Sequence, residues 1–364
     1  MWDYLKAWYQ RKFSDPDAIT LALLLVVLFL LIVFFGHLIA PILVALALAY
    51  LLDWPIQRLQ AAGLTRTLAV VIVFVVFVAI NVLLIFFLVP VIWQQGVALI
   101  TELPQMVLRT REFLDRLPEL FPGYINESYI DRVVANFNQR AINLGETIIS
   151  QSLSSLIGIM ALLIYLIIVP LLMFFMLKDK RELLGHINRT LPSNRRLISQ
   201  VSEEMNLQIM NYIRGKALEV IIVGGFTFIC FTLFDLRYAA LLAVLVGLSV
   251  LIPYIGAAVV TIPVALVALF QFGWSPMFAY VMIAYLIIQA LDGNVLVPLL
   301  FSEAVSLNPV YIIAAVLVFG GLWGFWGVFF AIPLASLVKA VLTALSSSEP
   351  LAAELTHQPK ASED

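Results

Sequence analysis

Residues 67–90, TLAVVIVFVVFVAINVLLIFFLVP, carry no charged side chain. As a helix such a stretch covers ~36 Å, enough to cross a hydrocarbon core ~30 Å thick. Hydrocarbon offers the backbone no water, so a segment of this kind must satisfy its own hydrogen bonds as a helix. Further runs read as spans at 18–35, 38–52, 153–177, 217–235 and 276–300. Hydrophobic residues make up 63% of the 364 and charged residues 12%, against roughly a half and a quarter in soluble domains. Mean hydropathy is +1.03. The expected fold class is an all-α polytopic membrane protein. It has about six full spans, two broken or re-entrant helical hairpins and a small amphipathic helical periplasmic subdomain.

The polar segments set the orientation. Residues 1–17 place Trp2, Leu5, Trp8, Tyr9 and Phe13 at helical spacing among Lys6, Arg11 and Lys12, the pattern of an interfacial helix. Residues 18–90 hold the first three spans, with Gly36-His37 as a tight connection between the first two. Residues 91–152 carry five Arg, no Lys and seven acids, with Leu99, Leu103, Met106, Phe113, Leu117 and Leu120 at helical spacing. Residues 178–216 carry eight Lys/Arg and four acids. Their stripe of Leu197, Val201, Met205, Ile209 and Ile213 predicts a segment lying along the membrane surface. The Lys/Arg bias puts the N-terminus, 53–66 and 178–216 in the cytoplasm and 91–152 outside. Residues 346–364 read as a cytoplasmic tail, and the first apolar run shows no small-residue cleavage site.

Within 217–345, two apolar stretches do not read as simple spans. Residues 238–270 are interrupted by IPYIG at 252–256, leaving arms of roughly 14–15 residues, or ~21–23 Å. Residues 309–345 are interrupted by GGLWGFWG at 320–327. A second arm crossing fully would leave Lys339 near mid-membrane, at about 2.5–3.5 kcal/mol. An arm that climbs back out lets it snorkel at the cytoplasmic interface. Both stretches therefore read as hairpins entering from opposite sides, with tips near the midplane. The competing readings are a small-residue packing face at Gly320-x-x-x-Gly324 and a plain loop at IPYIG.

Few residues carry chemistry. Asp292 lies inside the 276–300 span with Gln289 one turn before it and Asn294 beside it. An ionisable residue there is a functional-site candidate. The competing reading is a structural ion pair with Lys339 or Arg214. Glu219, one turn inside its own span, reads either as a charge partner or as a satisfied interface residue. Pro253, Tyr254 and Gly256 mark the first tip; Trp323, Gly324, Trp326 and Gly327 mark the second. The aromatic members either line a solute pathway or simply pack. Glu303, after Pro298, reads as solvated at a helix end. Asn81, Thr227 and Thr261 suit helix-to-helix hydrogen bonds. The net charge of −2 gives no surplus for nucleic acid, and the single cysteine, Cys230, excludes intramolecular disulfides. There is no metal-ligand spacing, nucleotide loop, cofactor motif or enzyme signature. Transport by such a chain would be secondary or passive.

NYIRGK (211–216), LIPYIGAAVVTIP (251–263), IIQALDGNVLVPLLFSEAVSLNP (287–309) and FGGLWGFWGVFFAIPLASLVKAV (319–341) resemble the autoinducer-2 exporter family, on its permease branch. Asp292 stands where much of that family has glutamate, and Asn308 where many members have histidine. The resemblance covers nearly the whole chain. It implies a bacterial inner-membrane transporter with no cofactor, assembled as a homo-oligomer, a pentamer by preference. The expected partners are the lipid bilayer and a small polar solute, exported and resembling autoinducer-2. The alternatives are a monovalent cation (Na⁺ or Li⁺)/H⁺ antiporter and a non-transporting membrane scaffold.

Overall fold

The computed structural model describes residues 16–114, 156–190, 196–301 and 308–347, with single positions between 132 and 143. Among them every regular element is a helix. Six helical stretches are long and apolar enough to cross a membrane: Leu38–Ala61, Arg66–Leu103, Ile198–Leu233, Ile255–Phe272, Pro276–Phe301 and Pro309–Phe329. The protein is an all-α, multi-pass membrane protein. Large side chains stay exposed along these helices, Phe86 at 73% and Phe87 at 71% among them. That is unfavourable in water and suits acyl chains. The interfacial helix at 1–17, the bulk of the 91–152 subdomain, Glu303 and the 346–364 tail lie essentially outside the described residues.

Helix α1 (Pro16–Ala61) joins the first two expected spans. The tight connection expected at Gly36-His37 is a kink at Phe35 (φ −119°, ψ 18°), and Gly36 itself is helical. Gly36 is small because the Trp323 indole lies where its Cβ would be. The helix also continues past residue 52, so the expected 53–66 loop shrinks to a turn at 62–65, with Gly63 at φ 98°. Helix α2 (Arg66–Leu83) passes through a π-helical segment, Leu84–Leu88, into α3 (Val89–Leu114). The expected end at Pro90 is therefore overrun. A proline removes one N–H and crowds the carbonyl four residues back. The wider π turn immediately before Pro90 accommodates that ring, and the same arrangement recurs at Asp292–Leu296 ahead of Pro298.

Helix α4 (Leu156–Lys178) leads to α5 (Lys180–Thr190) and then α6 (Arg196–Leu233). Helix α6 is continuous over 38 residues. The expected division between a surface segment ending at 216 and a span beginning at 217 is absent. Nothing in NYIRGKALEV breaks a helix strongly enough to end it. The remaining elements are α7 (Ala239–Ser249), α8 (Ile255–Phe272), α9 (Pro276–Leu291), α10 (Val297–Phe301), α11 (Pro309–Phe329) and α12 (Ala331–Ser347).

The chain forms two compact units. One draws on 41–179 and 213–302. Its larger core joins the C-terminal part of α6 to α7, α8 and α9 through Phe231, Leu242, Val246, Val264 and the fully buried Tyr285, with Leu99 and Met106 of α3 packed against it. Helices α6 and α7 approach closely at two glycines: a Cβ on Gly247 would meet the Val220 carbonyl at 3.0 Å and the Gly224 Cα at 3.1 Å. Its second core packs α1, α2 and α4 around Ile56, Val70 and Met173. The other unit draws on 1–40, 180–212 and 303–364. There the α6 stripe of Ile198, Val201 and Met205 meets Ala340 and Val341 of α12. The apolar face assigned to the membrane surface is thus covered by protein.

Candidate functional site

Both broken stretches are helical hairpins. In the first, α7 and α8 pack on one another and the chain reverses between them. A Cβ on Gly256 would run into the Ser249 carbonyl, so this glycine lets the two arms touch. Tyr254 turns the chain at φ 62° and is 58% exposed. The arms are unequal, contrary to the symmetric expectation: α7 has 11 residues, ~16 Å, and α8 has 18, ~27 Å. Pro253 lies in the turn, where its missing N–H costs no helical bond.

Breaking a helix in hydrocarbon leaves a carbonyl without its i+4 donor. Here a side chain supplies one: Lys216 Nζ donates to the Val250 carbonyl at 2.8 Å. The same ammonium pairs with Glu219, one turn along α6, at 2.7 Å to Oε2 and 3.0 Å to Oε1. It also lies 5.2 Å from the centre of the Phe301 ring. Lys216 is 8% exposed and Glu219 1%. Gly215 makes the room, since a Cβ there would meet the Phe301 ring.

Asp292 opens the π-helical segment that follows α9. The Lys216 ammonium acts on its carboxylate electrostatically. Its Oδ1 is buried and has no hydrogen-bond partner among the described residues. Glu219 in turn feels Asp292. One ammonium therefore serves two carboxylates. Neither neighbour from the sequence joins them. Asn294 is exposed and donates back to the Ala290 carbonyl at 2.8 Å. Gln289 donates to Tyr285 OH at 3.1 Å. Tyr285 OH lies 2.9 Å from Thr261 Oγ1, whose proton goes to the Ala257 carbonyl at 2.7 Å, so the tyrosine is the donor to Thr261. This relay ties α9 to the second arm of the hairpin.

The second hairpin turns at Gly324 (φ 59°, ψ −137°), a conformation open in practice only to glycine. A Cβ on Gly327 would strike the Phe319 carbonyl, so the arms touch there as they do at Gly256. Val316 and Ala331 pack across the pair. The tip is aromatic: Trp323 and Trp326 lie 6.0 and 6.5 Å from Phe330. The Trp323 Nε1 is buried and has no acceptor among the described residues. Lys339 lies on the second arm, half-buried.

Sequence reasoning missed Lys216, because its position after NRR and NYIRG reads as the end of a cytoplasmic segment. It also missed Asp53, 5% exposed, which accepts from Gln57 Nε2 at 2.7 Å and lies 3.9 Å from Arg66. Arg66 also donates to the Leu177 carbonyl at 2.8 Å, joining α1, α2 and the end of α4. Among the described residues no three His, Cys, Asp or Glu side chains converge as metal ligands would.

The model of the AI-2E family of transporters matches residues 21–347. The chain belongs to this family. It is 54% identical to "Putative permease PerM" of Escherichia coli strain K12 over 344 residues, covering 94% of this chain and 98% of the relative. It is 27% identical to "Putative transport protein YueF" of Bacillus subtilis, covering 85% and 84%. It is 25% identical to "Putative transport protein sll0063" of Synechocystis, covering 87% and 80%. Membership in the AI-2E family thus extends across all the helices just described.

Proposed function

We propose that this AI-2E family member is a secondary transporter of the bacterial inner membrane that exports a small polar solute, with both termini in the cytoplasm. It acts as a homo-oligomer, without a cofactor and without enzymatic chemistry. The observation that carries the reading is the buried Lys216 ammonium, bonded to the open carbonyl of a helix break. An idle buried charge is costly. Broken helices in membranes are tolerated where they are shielded by protein or line a cavity, and transporters use such breaks to bind solute.

The division of labour follows. Lys216 ties the first hairpin to α6, and Glu219 balances its charge. Asp292, lacking a hydrogen-bond partner at Oδ1, is the group available to a solute hydroxyl or a coupling proton. Solute contact at Asp292 competes with Lys216 for that carboxylate and so changes the balance of contacts at the ammonium that holds Val250. The test is efflux of autoinducer-2 from proteoliposomes containing the purified full chain. Asp292→Asn should abolish efflux while the protein keeps its wild-type elution and helicity. Unchanged efflux in Asp292→Asn would remove this carboxylate from the mechanism, and no efflux by wild type would remove autoinducer-2 as the solute.

A further inference from the structure

The α1–α2 hairpin carries a groove that the transport reading does not use. It has a volume of about 530 Å³ and opens to the outside of the helix pair. Leu59 of α1 and Val73, Val76, Phe77 and Ile80 of α2 form its apolar walls, with Trp54, Pro55 and Arg58 along α1. The groove has a direction. Arg58 is near the 62–65 turn that joins the helices, and Ile80 is 15 residues beyond that turn, ~22 Å along α2. It therefore runs from the turn toward the middle of the helix pair with a single charge near one end.

That charge is unusually placed. The Arg58 guanidinium stacks 4.8 Å from the Trp54 ring centre. No carboxylate pairs with it among the described residues. The acid nearest in sequence, Asp53, is turned inward and held by Gln57 and Arg66. Trp54 is 49% exposed, so the stacked pair faces outward. An indole positions an arginine and leaves its N–H fork open. Such a fork matches phosphate oxygens in two-point geometry. An open guanidinium heading an apolar channel is complementary to an amphiphile with an anionic head and a long hydrocarbon tail. The Lys/Arg bias places this end at the cytoplasmic leaflet, where basic groups between helices recognise such heads.

We propose that the α1–α2 groove is a binding site for an anionic phospholipid, with the phosphate on Arg58 and one acyl chain along Val73, Val76 and Ile80. Free phosphate would lack the chain contacts. A zwitterionic lipid would present its phosphate beside its own ammonium, which competes with Arg58. The site is independent of Lys216 and Asp292, and its failure would leave the transport reading untouched.

Native mass spectrometry of the full chain in mild detergent tests this, with phosphatidylglycerol, phosphatidylethanolamine or inorganic phosphate added in turn. Phosphatidylglycerol should be retained about ten-fold better than phosphatidylethanolamine, the scale of one charge-assisted contact. Phosphate alone should give no adduct. Arg58→Gln should erase the preference while leaving weak retention of either lipid, and Val76→Trp, which fills the channel, should remove both. Equal retention of the two lipids by wild type would overturn the proposal, as would adducts with phosphate alone or a preference that survives Arg58→Gln. So would a Val76→Trp variant that keeps its lipid but loses its oligomer, which would make the groove a contact between copies.

Discussion

The two hairpins solve one problem in different ways. Each reverses a helix within an apolar stretch, and each presses a glycine against a carbonyl of the opposing arm, Gly256 on Ser249 and Gly327 on Phe319. The first then bends through a tyrosine at positive φ and borrows an ammonium from α6 to satisfy Val250. The second bends through Gly324 and surrounds its turn with Trp323, Trp326, Phe329 and Phe330. One tip is held by a charge from outside the hairpin, the other by local backbone and rings. A charge-held tip can be released by a competing charge or hydrogen bond.

Lys216 should give the largest effect. Lys216→Met leaves Glu219 buried and unpaired, which should cost about 3–5 kcal/mol, measured as a drop in unfolding midpoint in mild detergent. Lys216→Met combined with Glu219→Gln should recover most of that loss. If the double variant is no better than the single, the ammonium is holding the tip rather than balancing the carboxylate.

The shared glycines come next. Gly256→Ala and Gly327→Ala force backbone apart and should each cost about 1–3 kcal/mol. The turn residues should then separate the hairpins by sign. Gly324→Ala has open space around its new methyl yet must hold a glycine-only backbone conformation, a cost of about 1–3 kcal/mol. Tyr254→Gly relieves a comparable strain and gives back about 0.5–1 kcal/mol in unfolded-chain entropy, leaving a gain of roughly 0.5–1 kcal/mol. A loss at Tyr254→Gly would show that the ring, not the backbone, organises the first tip.

The smallest effect is alkaline. Tyr238 stands at the start of α7, where burial and then the Glu102 carboxylate push its hydroxyl up to about 12. Its neutral form is favoured in the folded protein. That stability is complete below pH ~10, the ordinary tyrosine value, and should be lost as pH rises toward 12. Tyr238→Phe should flatten the decline in melting temperature across that window. An unchanged decline would show that another group sets it.

Much of this was legible from residue types. Gly324 and IPYIG stand out because glycine and proline are costly in a helix, and the hairpins are where those residues fall. Asp292 stands out because a carboxylate in an apolar run is conspicuous. Its partner was not legible: Lys216 sits in a basic stretch where one more lysine carries no signal, and only its packing against Phe301 and Val250 distinguishes it. The continuity of α6 was hidden for a related reason. Hydropathy changes near residue 216 while helix propensity does not, so a composition boundary falls inside one element. Pro90 and Pro298 mark the π-helical segments, but a proline alone does not distinguish a widened turn from a helix end.

The Asp53 clip has a consequence in time. A chain that enters the bilayer as it is made exposes its residues in order. Asp53 emerges with Gln57 one turn behind it. Arg66 follows 13 residues later, about a second at ribosomal rates of roughly 5–20 residues per second. The Leu177 carbonyl, 111 residues after Arg66, arrives roughly 6–22 s later still. The Arg66 guanidinium therefore spends that interval joined to Asp53 of α1 before it gains the α4 carbonyl, so the α1–α2 pair can form as a unit that waits for α4.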